Sequence, residues 1–138
     1  MSAAIRVAVC DDARAVKTFL RIVLEEGGDI EVVSTTSTGG QLLEVLAEVG
    51  AHVLLLDLLL PDVPEPAELV RRIRELSPAT AILLMSNMPP SALEREARKL
   101  ATDGWTCKAH KPEQLRQAVH AAIAARDQQH PSGGATAT

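Results

Sequence analysis

Apolar residues in this chain gather in short runs, separated by polar stretches with a helical period. The densest run is Ala51 to Pro61 (AHVLLLDLLLP), apolar from Val53 to Leu60 except for one acid, Asp57. A run this short, stopped by Pro61 and further prolines, predicts a strand buried on both faces, as in a parallel sheet. Ile5 to Cys10 (IRVAVC), Ile30 to Thr35 (IEVVST), Ala81 to Met85 (AILLM) and Gly104 to Cys107 (GWTC) are four more strand-like runs.

Helical spacing fills the intervals. Val16, Phe19, Leu20, Val23 and Leu24 recur from Arg14 to Glu26, and Gly27-Gly28 ends that helix. Leu42, Leu43, Leu46 and Val49 mark a second helix, opened by the capping box Thr38-Gly39-Gly40-Gln41. After a stiff loop from Pro61 to Pro66, Leu69, Val70, Ile73 and Leu76 mark a third, closed by Ser77-Pro78. Pro89-Pro90 precedes another capping box, Ser91-Ala92-Leu93-Glu94, expected to open a short helix with more charge than apolar surface. Pro112 suits the first turn of a final helix with Leu115, Val119, Ala122 and Ile123 as its buried stripe. Five strands alternating with five helices through right-handed crossovers predict an α/β fold, a doubly wound five-stranded parallel sheet with helices on both faces.

With 138 residues, 46% of them hydrophobic, the chain suits one domain with one core. Residues 1–126 are expected to form that domain, and 127–138 (DQQHPSGGATAT), small and polar, a disordered tail or linker stub. Aromatics are 1%, Phe19 and Trp105 alone, which removes the stacking surfaces used on single-stranded nucleic acids. The net charge of −4 argues against general binding to nucleic acid or anionic membranes. Cys10 and Cys107 read as reduced core thiols, no apolar run reaches spanning length and no signal peptide is visible, so the expected location is the cytoplasm. The four histidines stand singly and are given no ligand role.

Four strands end in functional groups: Asp11 and Asp12, Asp57, Ser86, and Lys108. Each has a plainer reading taken alone: Asp12 as a helix N-cap, Asp57 as the start of a solvated loop. Together they converge, because the carboxyl ends of the strands in a doubly wound sheet share one crevice. Three crowded carboxylates need a cation, and a hard, oxygen-loving ion, Mg²⁺ first, suits them. With that ion and Lys108 supplying positive charge, Asp57 becomes a nucleophile toward a phosphoryl group, and Ser86 a hydrogen-bond partner for the product. Gly39-Gly40 do not make a nucleotide loop, since neither dinucleotide nor P-loop spacing is present.

These residues resemble the receiver domain of bacterial two-component response regulators, over about Ile5 to Ala125. The pieces SNMPP, ATDGWTCK and KPEQL are similar to the subfamily often coupled to helix-turn-helix output domains, although this chain is expected to stand without one. The resemblance implies a flavodoxin-like fold that accepts phosphate on Asp57 from a histidine kinase or phosphotransfer protein, without being an enzyme in the ordinary sense. It implies Mg²⁺ held by Asp12, Asp57 and the backbone carbonyl of Leu59, with Asp11 acting through water. It gives Trp105 the switch-aromatic position, and it implies an output partner, still unidentified, at the fourth helix, last strand and last helix. A phosphorylation-dependent homodimer through the same surface follows from the habit of such domains.

Lys111-Pro112 imitates the family's Lys-Pro pair, but three residues before Lys111 stands Lys108, whereas three before Lys108 stands Trp105. Register therefore selects Lys108 as the phosphate-contacting lysine. Leu59, usually polar in the family, and Glu65, usually Gly, depart from the pattern and bear on kinetics. They favour an alternative in which the fold is a phosphorylation-independent interaction module. An aspartyl-phosphate hydrolase would need a second acid where Leu59 stands, and a flavodoxin would need hydroxyls where Asp11 and Asp12 stand.

Overall fold

The structure is a computed structural model that describes residues 4–108 and 111–129. In chain order the elements are β1 (Ile5–Cys10), α1 (Arg14–Glu25), β2 (Ile30–Thr36), α2 (Gly39–Val49), β3 (Val53–Asp57), α3 (Pro66–Leu76), β4 (Ala81–Ser86), α4 (Pro90–Leu100), β5 (Gly104–Cys107) and α5 (Pro112–Gln129). The strands form one parallel sheet ordered β2-β1-β3-β4-β5. This is the doubly wound fold that the alternating pattern predicts, in the flavodoxin-like strand order that the resemblance implies. The order reverses beside β1, between β1 and β3, where such sheets open their ligand crevice.

Alternation along each strand divides the core. Val7, Val9, Val53, Leu55, Leu83 and Met85 face α1 and α5, where they meet Leu20, Leu24, Leu115 and Val119. Ala8, Cys10, Leu54, Leu56 and Ile82 face the other way, onto Leu42 and Leu46 of α2 and Leu69 and Ile73 of α3. A third cluster joins Leu93 and Ala97 of α4 to Leu58, Leu84 and Cys107, with Trp105 packed against it. All five β3 residues are buried, Asp57 included, so the acid does not begin a solvated loop.

The helix ends differ from expectation in three places. Thr38 accepts the Gln41 N–H as a cap should, but the Gln41 side chain reaches back to the N–H of Ser37, one residue before the cap. The box expected at Ser91 to Glu94 does not form, because α4 already starts at Pro90, with Pro89 as N-cap and no capping side chain. Pro90 suits the first helical position because its missing N–H is not needed there, and Ser91 is then two residues past the cap position. Finally, α5 runs to Gln129, three residues past the boundary set by composition; with no Gly or Pro before Pro131, Asp127, Gln128 and Gln129 continue the helix. Residues 130–138 of the expected tail lie outside the described residues. Among the described residues, no helix is long and apolar enough to cross a membrane.

Candidate phosphoryl-acceptor site

Parallel strands present their carboxyl ends on one edge, and β1, β3, β4 and β5 each deliver a polar group there. Asp11 directly follows β1 and is fully buried, while Asp12 beside it is exposed. Asp57 is the last residue of β3 and Ser86 the last of β4, both buried, and Lys108 directly follows β5. One carboxylate oxygen from each of Asp11, Asp12 and Asp57 lies within 4.8 Å of the other two.

The buried Asp11 is held from two sides. Its Oδ1 accepts the Ala13 N–H at 2.8 Å, which fastens the turn into α1. Its Oδ2 stands 2.6 Å from Nζ of Lys108, a largely buried ion pair. Ala13 is the N-cap residue of α1 and no side chain caps the helix, so Asp12 is not spent as a cap and projects its carboxylate at the mouth of the crevice.

Lys108 Nζ also lies 3.5 Å from Oδ2 of Asp57, so one ammonium faces two carboxylates. Burial alone would lower the lysine's pKa, but Asp11 and Asp57 more than offset it and keep the group charged above the usual range. Asp57 moves upward as well. Burial is the main cause and the Asp11 charge adds to it, against the opposing Leu59 N–H, which donates to Asp57 Oδ1 at 3.2 Å, and Lys108. A carboxylate disfavoured in this way gains from a further cation.

Ser86 Oγ accepts the Met88 N–H at 3.2 Å and keeps its own proton free to donate, while the Ser86 carbonyl accepts the Lys108 N–H at 3.0 Å. The ends of β4 and β5 are thereby coupled by backbone. Trp105 lies on the α4 side of β5, partly buried and opposite Leu84 in the ladder. Lys111 is exposed in the turn before α5, where its N–H meets Oε1 of Gln114. Leu59 is 69% exposed at the crevice mouth. Glu65 is the N-cap residue of α3 and makes no side-chain cap.

Cys10 and Cys107 are buried free thiols, and burial pushes Cys10 up to about 11. His52 accepts the Arg6 N–H and His120 meets Asp29, whereas His110 and His130 lie outside the described residues. One residue of the site's surroundings escaped the sequence reading. Asp62, in the loop after β3, accepts the N–H groups of Gly39 and Gly40, which are 23 and 22 residues away, a pairing without local signal.

Comparison with known proteins decides the family, because the model of the response regulator receiver domain matches residues 7–120. The chain belongs to that family. It is 26% identical over 119 residues to the virulence factors putative positive transcription regulator BvgA of Bordetella pertussis, covering 86% of this chain and 54% of the relative. This receiver thus spans about half the length of that curated relative. Among solved structures it is similar to a two-component response regulator of the LuxR family from Aurantimonas sp. SI85-9A1, at TM-score 0.78 and 28% identity over 89% of this chain and 86% of the other. The signal receiver domain of the putative response regulator NarL from Mycobacterium tuberculosis shares the fold at TM-score 0.79 and 24% identity, covering 89% and 98%.

Receiver domains generally bind Mg²⁺ at an acidic pocket, and the donor set here fits such an ion. It offers three carboxylates, hard oxygen donors within reach of one another, one of them exposed and one with a raised pKa.

Proposed function

We propose that this receiver is a phospho-accepting switch whose nucleophile is Asp57. One observation supports this most strongly: a largely buried lysine ammonium pairs with Asp11 at 2.6 Å and reaches to 3.5 Å from Asp57, inside a cluster of three carboxylates. Mg²⁺, held by Asp12, Asp57 and the Leu59 carbonyl with Asp11 acting through water, would neutralise charge on the transferring phosphoryl oxygens.

This chain's residues do the rest. An Asp57 oxygen attacks the phosphorus of a phosphohistidine on a histidine kinase or phosphotransfer protein; the new O–P bond forms as the N–P bond breaks, and the departing imidazole nitrogen takes up a proton. Asp57 then carries a dianionic group in place of a monoanion. Lys108 shifts its attraction toward the new oxygens, and the Ser86 hydroxyl turns to donate to them. Both groups belong to strand ends that flank Trp105, so the change reaches the α4, β5 and α5 surface where an output partner is recognised. The role is signalling rather than turnover of a substrate, and it is cytoplasmic, in keeping with buried reduced thiols. The transcription-regulator relative supports an output in gene control.

Since Trp105 is the sole Trp and Tyr is absent, its emission reports the switch. Adding beryllofluoride with Mg²⁺ should change the emission in wild type and in Lys111→Ala, and leave Lys108→Ala unresponsive. The opposite ranking would contradict the assignment of Lys108 and the register of β5 with it.

A further inference from the structure

The glycine pair at the start of α2 has a partner inside the chain. Asp62 Oδ1 accepts the Gly39 N–H at 2.9 Å and Oδ2 accepts the Gly40 N–H at 3.1 Å, so one carboxylate spans two of the helix's orphan donors. Thr38 Oγ1 takes the third, the Gln41 N–H, and the first intrahelical bond runs from the Leu42 N–H to the Thr38 carbonyl. The two peptide N–H groups, Gly39 first, hold the Asp62 carboxyl below the usual carboxylate range.

Shape reinforces this contact. A Cβ at position 39 would stand 2.6 Å from Cγ2 of Val63, so only glycine lets the segment after Asp62 seat on α2. That segment is the β3–α3 loop, stiffened by Pro61 and Pro64 and closed on itself by the bond from the Val63 N–H to the Leu60 carbonyl. At its other end, the Leu58 N–H donates to the Met85 carbonyl and the Leu59 N–H to Asp57. The Leu59 peptide therefore sits between two anchors, Asp57 before it and Asp62 after it, with only Leu60 and Pro61 between it and the second.

We propose that Asp62 is a positioning residue for the metal site, fastening the β3–α3 loop to the N-terminus of α2 so that the Leu59 peptide keeps its place beside Asp57. This rests on the reading of the acidic cluster as a Mg²⁺ site, and adds to it a residue that touches neither metal nor phosphate. A helix cap alone would affect stability; a positioning role also affects metal affinity.

The test uses the 138-residue chain. Mg²⁺ is titrated calorimetrically into wild type, Asp62→Ala and Asp62→Asn, with urea unfolding in EDTA and amide hydrogen exchange of residues 59–63 measured alongside. Losing a supporting contact of this kind should weaken Mg²⁺ binding about 10-fold in Asp62→Ala, speed exchange at Leu59 and Leu60 without metal, and be partly rescued in Asp62→Asn, which keeps one oxygen acceptor. Equal Mg²⁺ affinity in wild type and Asp62→Ala, even with reduced stability, would overturn the inference and leave Asp62 a cap only. Wild type without Mg²⁺ binding would sink the metal reading and the inference together, a result distinguishable from the first.

Discussion

Asp57 illustrates how a functional group is kept at a cost to the fold. Its carboxyl is pushed up chiefly by burial, so the folded protein binds its proton more tightly than the unfolded chain does. Stability therefore falls as pH rises from the unfolded value, about 3.9, through the raised folded value. Asp57→Asn removes that cost, and in EDTA at neutral pH it should melt at a higher temperature than wild type, with the difference shrinking as pH falls toward 4. A variant less stable than wild type across this range, followed by thermal melts, would mean that the Lys108 contact outweighs burial. The acids at the strand ends were legible in the sequence because each interrupts an apolar run where a strand must stop. Their unequal surroundings were not, since the burial of Asp11 and exposure of Asp12 depend on how α1 departs from the sheet. Asp62 was hidden for a related reason, because its partners lie across a loop closure that no local pattern encodes.

Among the elements, the strands were the easiest to read and helix starts the hardest. Runs such as VLLLD admit few alternatives once both faces must be buried, whereas the start of α4 turned on which of two prolines takes the first helical position. The far end of the sheet shows what local patterns cannot supply. Asp103, just before β5, donates its backbone N–H to the Ile82 carbonyl of β4 at 2.9 Å and accepts the Ile82 N–H through Oδ2 at 2.8 Å. The same oxygen meets Arg74 of α3 at 2.9 Å, and Oδ1 lies 3.6 Å from Nε of Arg126 of α5. Helices packed on opposite faces of the sheet are thus tied through one buried carboxylate, and the short β5 is held in register with β4. Truncating it strands a largely buried guanidinium. Asp103→Ala should cost about 3 kcal/mol in urea unfolding, and a loss below about 1 kcal/mol, typical of an exposed pair, would contradict this account.

On the scale of the whole molecule, the sheet's two ends have separate duties. One end carries the Asp103 tie, and the other gathers the carboxylates, the hydroxyl and the lysine beside the point where strand order reverses. Fold class was legible from alternation alone, since five strands alternating with five helices leave few right-handed arrangements. The joint role of the strand-end groups became legible only because that topology brings them to one edge. The most direct measurement is the mass of the intact chain after incubation with acetyl phosphate and Mg²⁺, for wild type and Asp57→Asn. The account predicts one added phosphoryl group on wild type, lost when EDTA replaces Mg²⁺ and absent from the Asn variant; equal labelling of both proteins, or none on folded wild type with Mg²⁺ present, would contradict it.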